Sequence, residues 1–104
     1  MKKFLAISLI FLSTISSINA EEIKRIFVGN EDAKITIIAF ESLTCSHCAN
    51  FHKDVFPELK KEYLDTGLAK IEFRHFPLDA AAFNASKVSQ CKNDGDSAIL
   101  NSLY

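Results

Sequence analysis

The spacing of apolar and polar positions changes period several times along the chain. Ile35-Thr36-Ile37-Ile38-Ala39-Phe40 is a nearly continuous β-branched run, the pattern of a strand buried on both faces, as in a parallel sheet. Ahead of it, Ile23 to Val28 reads as a shorter strand, stopped by Gly29-Asn30, with a turn at Glu31-Asp32-Ala33. Glu41 to Thr44 reads as a loop. From Cys45 the period becomes helical. Phe51, Val55, Phe56, Leu59 and Tyr63 share one face, while Asn50, Lys53, Asp54, Lys60, Lys61 and Asp65 fill the other, which predicts an amphipathic helix. Pro57 predicts a kink or a stop and restart near Phe56, and Gly67 is placed to close the helix. Residues 69–76 return to strand character, with Ile71 and Phe73 on one face and Pro77-Leu78-Asp79 as the end. Asp79 suits the N-cap of a second helix over about residues 80–92. Asn93-Asp94-Gly95-Asp96 breaks it, and another helix begins over residues 97–104. The order β-β-α-β-α-α is that of an α/β fold, and its middle βαβ unit implies two parallel strands joined by a right-handed crossover.

The first twenty residues follow a different logic. Met1-Lys2-Lys3 is positively charged, Phe4 to Leu12 is almost wholly apolar, and Ser13 to Ala20 is rich in small and polar residues, ending Ile18-Asn19-Ala20. That is the layout of a secretory signal peptide over residues 1–20, with an uncleaved anchor as its alternative. The expected location of the mature chain is a bacterial periplasm. Cleavage after Ala20 leaves one domain, residues 21–104, and takes the net charge from −1 to −3. So mild an acidity argues against nucleic acid or an anionic membrane as partner. No repeat, low-complexity segment, Gly-rich phosphate loop, Ser/His/Asp set or basic stripe interrupts this unit. Three cysteines remain, Cys45, Cys48 and Cys91, so one is left unpaired or pairs between chains.

The chemistry concentrates in "ESLTCSHCANFH", residues 41–52. The Cys-x-x-Cys pair stands where a strand ends and a helix begins. Unpaired backbone N–H groups and the positive end of the helix dipole meet there, and both favour a thiolate, the species that attacks or leaves in disulfide exchange. Cys45 is the exposed first cysteine, Cys48 lies one turn inside, and His47 between them adds a donor beside Cys45. Glu41 can accept or relay a proton near Cys48, its alternative being an exposed loop carboxylate. A rival of another class is a zinc or copper site through Cys45, Cys48 and His52, with His75 or Cys91 as a fourth ligand. The c-type haem signature fails, because Ala49 follows Cys48 where a histidine is needed. A purely structural Cys45–Cys48 bridge closes too small a ring to staple a fold well. His52 otherwise reads as a surface or packing residue, and Cys91 as a buried or semi-buried free thiol. No cofactor is expected.

Beyond the pair itself, "CSHCANFHKDVFPELKKEYLDTGLAKIEFRHFPLDAAAFNAS", residues 45–86, resembles the DsbA-type thiol:disulfide oxidoreductases of the thioredoxin superfamily throughout. The resemblance covers roughly residues 24–104. It implies a redox-active Cys45–Cys48 disulfide that accepts electrons from reduced exported proteins and is re-oxidised by a membrane partner. It implies a partial thioredoxin-like fold, β-β-α-β followed by the start of a helical insertion. Members of the family complete that fold with a cis-proline loop, a β-hairpin and a final helix. Neither Pro57 nor Pro77 stands in that loop, so the expectation is the N-terminal half of such a protein, a truncated or split gene product completed by a downstream fragment or inactive alone. Such a half leaves the sheet with an open edge and an uncovered face. Ser46 stands where DsbA itself usually has proline, so the redox potential does not carry over.

Overall fold

The structure, a computed structural model, describes residues 20–104; the signal-peptide reading of residues 1–20 therefore falls almost entirely outside the described residues. Three strands, β1 (Ile26–Gly29), β2 (Ile35–Glu41) and β3 (Ala69–His75), form one sheet in the order β1-β3-β2. β2 and β3 pair in parallel, Ile37 opposite Ile71 and Glu41 opposite His75, and β1 pairs with β3 antiparallel. The connection from β2 to β3 is one helical run, α1, spanning residues 46–64. The remaining helices are α2 (Ala80–Ser89) and α3 (Ala98–Ser102). This is a partial thioredoxin-like α/β fold, with the expected element order.

Alternation along β3 explains where the core sits. Ala69, Ile71 and Phe73 are buried because every second side chain of a strand points to one face. Ile26 joins them from β1, Phe56 and Leu64 from α1, and Leu100 from α3. Gly29 ends β1 at φ +110°, where a Cβ would stand 2.7 Å from the Ala69 carbonyl oxygen; only glycine fits both the angle and the approach. Gly67 closes α1 at φ +78° and donates its N–H to Leu64, as its position predicts.

Several expectations change. α1 is α-helical over Ser46–Asn50 and Phe56–Leu59 but π-helical over Phe51–Val55 and Lys60–Leu64. The restart near Phe56 is thus present, with Pro57 in its first turn, where a missing N–H costs least. A π turn holds about one residue more than an α turn, so the inward face slips by one position: Leu64 is buried, whereas Tyr63 and Val55 are half-exposed. β2 is not buried on both faces. It is an edge strand, and Ile35, Ile38 and Phe40 are 59, 45 and 63% exposed, which matches the uncovered face implied by the family resemblance. β1 covers Ile26–Gly29 rather than starting at Ile23, and α2 stops at Ser89 instead of Lys92. Cys91 consequently lies in the turn after α2 and is exposed, not buried.

Candidate active site

The junction of β2 and α1 delivers the two cysteines, Cys45 at the end of the loop and Cys48 in the first turn of α1. Cys45 is the N-cap residue of α1, in extended conformation, and its carbonyl accepts the first helical bond from Ala49 at 3.1 Å. Its side chain therefore faces the unpaired N–H groups of the first turn. The Cys48 backbone N–H and the Cys48 thiol both donate to the Cys45 sulfur, with the His47 N–H adding to them, and together they hold the Cys45 thiol below its ordinary value. Cys48 behaves in the opposite way. Burial pushes its thiol up, the thiolate character of Cys45 and the charge of Glu41 push it further, and a Ser42 N–H opposes them in part. One sulfur is thus prepared to be a thiolate and its partner to keep a proton. Both are thiols here and partly exposed. His47, between them, is exposed; its contribution to Cys45 runs through its backbone N–H.

Side-chain ties fix that loop to the rest of the fold. Ser42 is buried, its hydroxyl lies 3.3 Å from the Thr44 hydroxyl, and it accepts from the Leu78 N–H. Thr44 donates to Asp79 Oδ2 at 2.7 Å, while Asp79 Oδ1 accepts from Ala82 N–H at 2.8 Å and caps α2 as its position predicts. The Phe76 N–H bonds to the Glu41 carbonyl at 2.7 Å.

Beneath the cysteines lies a group that sequence reasoning placed differently. Glu41 is not an exposed loop carboxylate: it ends β2, opposite His75, and is 6% exposed. Its Oε2 lies 2.8 Å from His52 Nε2 and accepts from the Tyr104 hydroxyl at 3.3 Å. His52 is equally buried, so it is not a surface residue. Its imidazole stacks on Tyr104 with ring centres 4.0 Å apart and meets Phe73, Phe56 and Phe51 at 5.2 to 5.6 Å. Burial beside Glu41 pushes the Tyr104 phenol well above its ordinary value. A cavity of about 260 Å³ lined by Glu41, Cys48, His47, Phe51, Ala39 and Phe40 joins the carboxylate to the second cysteine. His75 turns to the Ser89 hydroxyl, 2.9 Å away, and burial lowers its imidazole. Tyr104 was missed because it lies fifty-two residues beyond His52 and carries no local pattern.

The metal alternative finds no support in this arrangement. His52 Nε2 is committed to Glu41, His75 to Ser89, and Cys91 lies exposed in the turn after α2. Among the described residues, no three His, Cys, Asp or Glu side chains converge as a metal cluster.

Comparison with known proteins places this geometry among relatives. Residues 21–103 match the family described as Thioredoxin. A Rickettsia bellii protein named for protein-disulfide oxidoreductase activity is 40% identical over 73 residues, 70% of this chain and 28% of its own length. Disulfide bond formation protein D of Bacillus subtilis is 35% identical over 46 residues, 44% of this chain and 21% of its own. The crystal structure of alpha-DsbA1 from Wolbachia pipientis superposes with a TM-score of 0.64 at 35% identity, covering 82% of this chain and 46% of that one. The chain thus spans about a quarter of the length of the curated relatives it matches and under half of that solved structure.

Proposed function

Because the chain belongs to the thioredoxin family and is a DsbA-like member of that superfamily, we propose that Cys45 and Cys48 are the redox pair of a protein thiol:disulfide oxidoreductase. The observation that carries this reading is the opposed tuning of the two sulfurs. In the oxidised chain a substrate thiolate attacks Cys45, the Cys45–Cys48 bond breaks, and Cys48 leaves with the electron pair. A second substrate thiolate then attacks the first substrate sulfur of that mixed disulfide, forming the substrate disulfide, and Cys45 leaves as the stabilised thiolate. The substrate loses two electrons and gains a disulfide, and the chain becomes the dithiol. Stabilising that dithiol state makes the disulfide an oxidant. Glu41 is the proton relay for Cys48: it donates when Cys48 leaves and accepts when Cys48 must attack. His47 supports the Cys45 thiolate from the first turn.

On this reading the substrates are reduced exported proteins. The site of action is the periplasm, reached through the signal peptide, and a membrane partner bearing its own disulfide restores the oxidised form. The reaction needs no metal or cofactor.

The uncovered face of β2 favours a second reading, in which these residues hold the chemistry but lack independent activity until a further segment completes the sheet. Oxidative refolding of a reduced test protein separates the two. Acceleration by the mature chain above that of glutathione alone, lost in C45A, supports the enzyme. A rate equal to glutathione alone overturns it for this chain and leaves the second reading.

A further inference from the structure

The Glu41–His52–Tyr104 cluster has a feature that a simple buried carboxylate does not. Both donors, His52 Nε2 and the Tyr104 hydroxyl, take the same oxygen, Oε2. Oε1 takes no hydrogen bond from any described residue, and Glu41 lines the cavity it shares with Cys48. The His52 ring is packed against four aromatic side chains. Tyr104 stacks on one face of the ring, and Phe51, Phe56 and Phe73 surround it. It also sits in the first π turn of α1, a helical distortion that recurs at functional sites.

We propose that His52 is a positioning residue for the redox reaction: by holding Oε2 it fixes the Glu41 carboxylate with Oε1 presented across the cavity to Cys48. The inference rests on the Cys45–Cys48 redox reading. The step it serves is disulfide closure. With oxidised glutathione as the probe, the Cys45 thiolate attacks one sulfur and releases one glutathione thiolate. Cys48–S–H then passes its proton to Oε1, directly or through a water in the cavity. Its thiolate attacks the Cys45 sulfur, and the second glutathione thiolate leaves. The chain loses two electrons, and the glutathione disulfide gains them. Among the described residues, the charged and titratable groups facing Glu41 are His52 from α1, Tyr104 after α3, His75 from β3, and His47 and Cys48 across the shared cavity.

The test follows single-turnover closure in the full chain by acid quench and mass spectrometry, from pH 5 to 9. H52F keeps an aromatic ring in the stack and removes the donor. H52Q keeps a donor that reaches the same oxygen. The expected result is a closing step slowed about tenfold in H52F, the scale on which a supporting residue acts through the group it orients, with H52Q restoring most of the rate. E41Q slows the same step, and H52F adds nothing to E41Q, because a positioning residue has no effect once its target is gone. The first step, attack by Cys45, keeps its rate in H52F. An unchanged closing step in H52F, additive losses in the double variant, or a parallel loss in the Cys45 step overturns the inference. Should H52F not fold, H52M, which also removes the donor to Oε2 while keeping an apolar side chain of similar length, takes its place, and an unchanged closing rate there overturns it equally. Failure of the wild-type chain to form a Cys45–Cys48 disulfide at all sinks the redox reading beneath it. Closure without oxidation of a reduced protein sinks only the claim about protein substrates.

Discussion

Thr44 and Asp79, thirty-five positions apart, are joined by a 2.7 Å hydrogen bond. It ties the residue immediately before Cys45 to the cap of α2. The Asp79 carboxylate accepts from the Ala82 N–H first and from Thr44 second, and these bonds hold its carboxyl below the usual value. Because the folded value lies below the unfolded one, the contribution to stability is complete above the unfolded value, about pH 4. It is lost as pH falls through the lower folded value. D79A therefore melts below wild type at pH 7, T44V falls between them, and the gap between D79A and wild type narrows below about pH 4. Thermal melts followed by circular dichroism from pH 7 to 2.5 measure this, and a gap that stays constant with pH counts against the linkage.

The opposed tuning of the cysteines gives a second expectation. At pH 7 a limiting dose of iodoacetamide labels Cys45 ahead of Cys48, because alkylation follows the thiolate. C48A moves the Cys45 titration upward, since the Cys48 thiol no longer donates. It does not return it to the ordinary value, because the larger contribution is the backbone N–H of residue 48, which alanine keeps. Thiolate absorbance against pH reads both effects. A Cys45 titration in C48A identical to wild type would show that the helix N-terminus acts alone.

These relationships mark the boundary of what the chain reveals as sequence. Element order, the parallel β2–β3 pair, the Asp79 cap and the place of Cys45 were legible, because each follows from local period or local chemistry. The inward face of α1 was legible at Phe51, Phe56 and Leu59 but not at Val55 or Tyr63: two π turns shifted the face, from Tyr63 to Leu64 at its end, and a fixed helical period cannot anticipate them. Glu41 read as a relay or an exposed loop carboxylate and His52 as a surface or packing residue, because polar residues usually face solvent and local pattern does not separate these alternatives. What buries them is a partnership across β2, α1 and Tyr104 that depends on tertiary placement. Cys91 was misplaced by an error of three residues in the end of α2.

Backbone conformation makes a third outcome specific. Gly29 and Gly67 both have positive φ, but a Cβ at Gly29 would meet the Ala69 carbonyl oxygen at 2.7 Å, whereas the nearest atom at Gly67 is 3.7 Å away. G67A carries backbone strain alone, about 1 kcal/mol. G29A adds a collision with the backbone of β3 and costs more. Urea unfolding of both variants at pH 7 checks the order, and equal midpoints would contradict the close approach of β1 to β3.

The uncovered sheet face yields the last expectation. Ile38 and Phe40 project from β2, opposite Glu72 and Arg74 in the register with β3, and the Arg74 guanidinium lies over Phe40, 5.9 Å from the ring centre. Exposed apolar groups so placed bind hydrophobic dyes and promote association. The double variant I38K/F40E sets a lysine across from Glu72 and a glutamate across from Arg74, each cross-strand pair contributing about 0.2–1 kcal/mol. It touches no residue of the buried core cluster. The chain should therefore keep its melting temperature while dye fluorescence falls by about half or more and self-association declines. Light scattering and dye titration at equal concentration measure this. A variant that melts far below wild type would mean that Ile38 and Phe40 are packed in solution, so that the face is covered there.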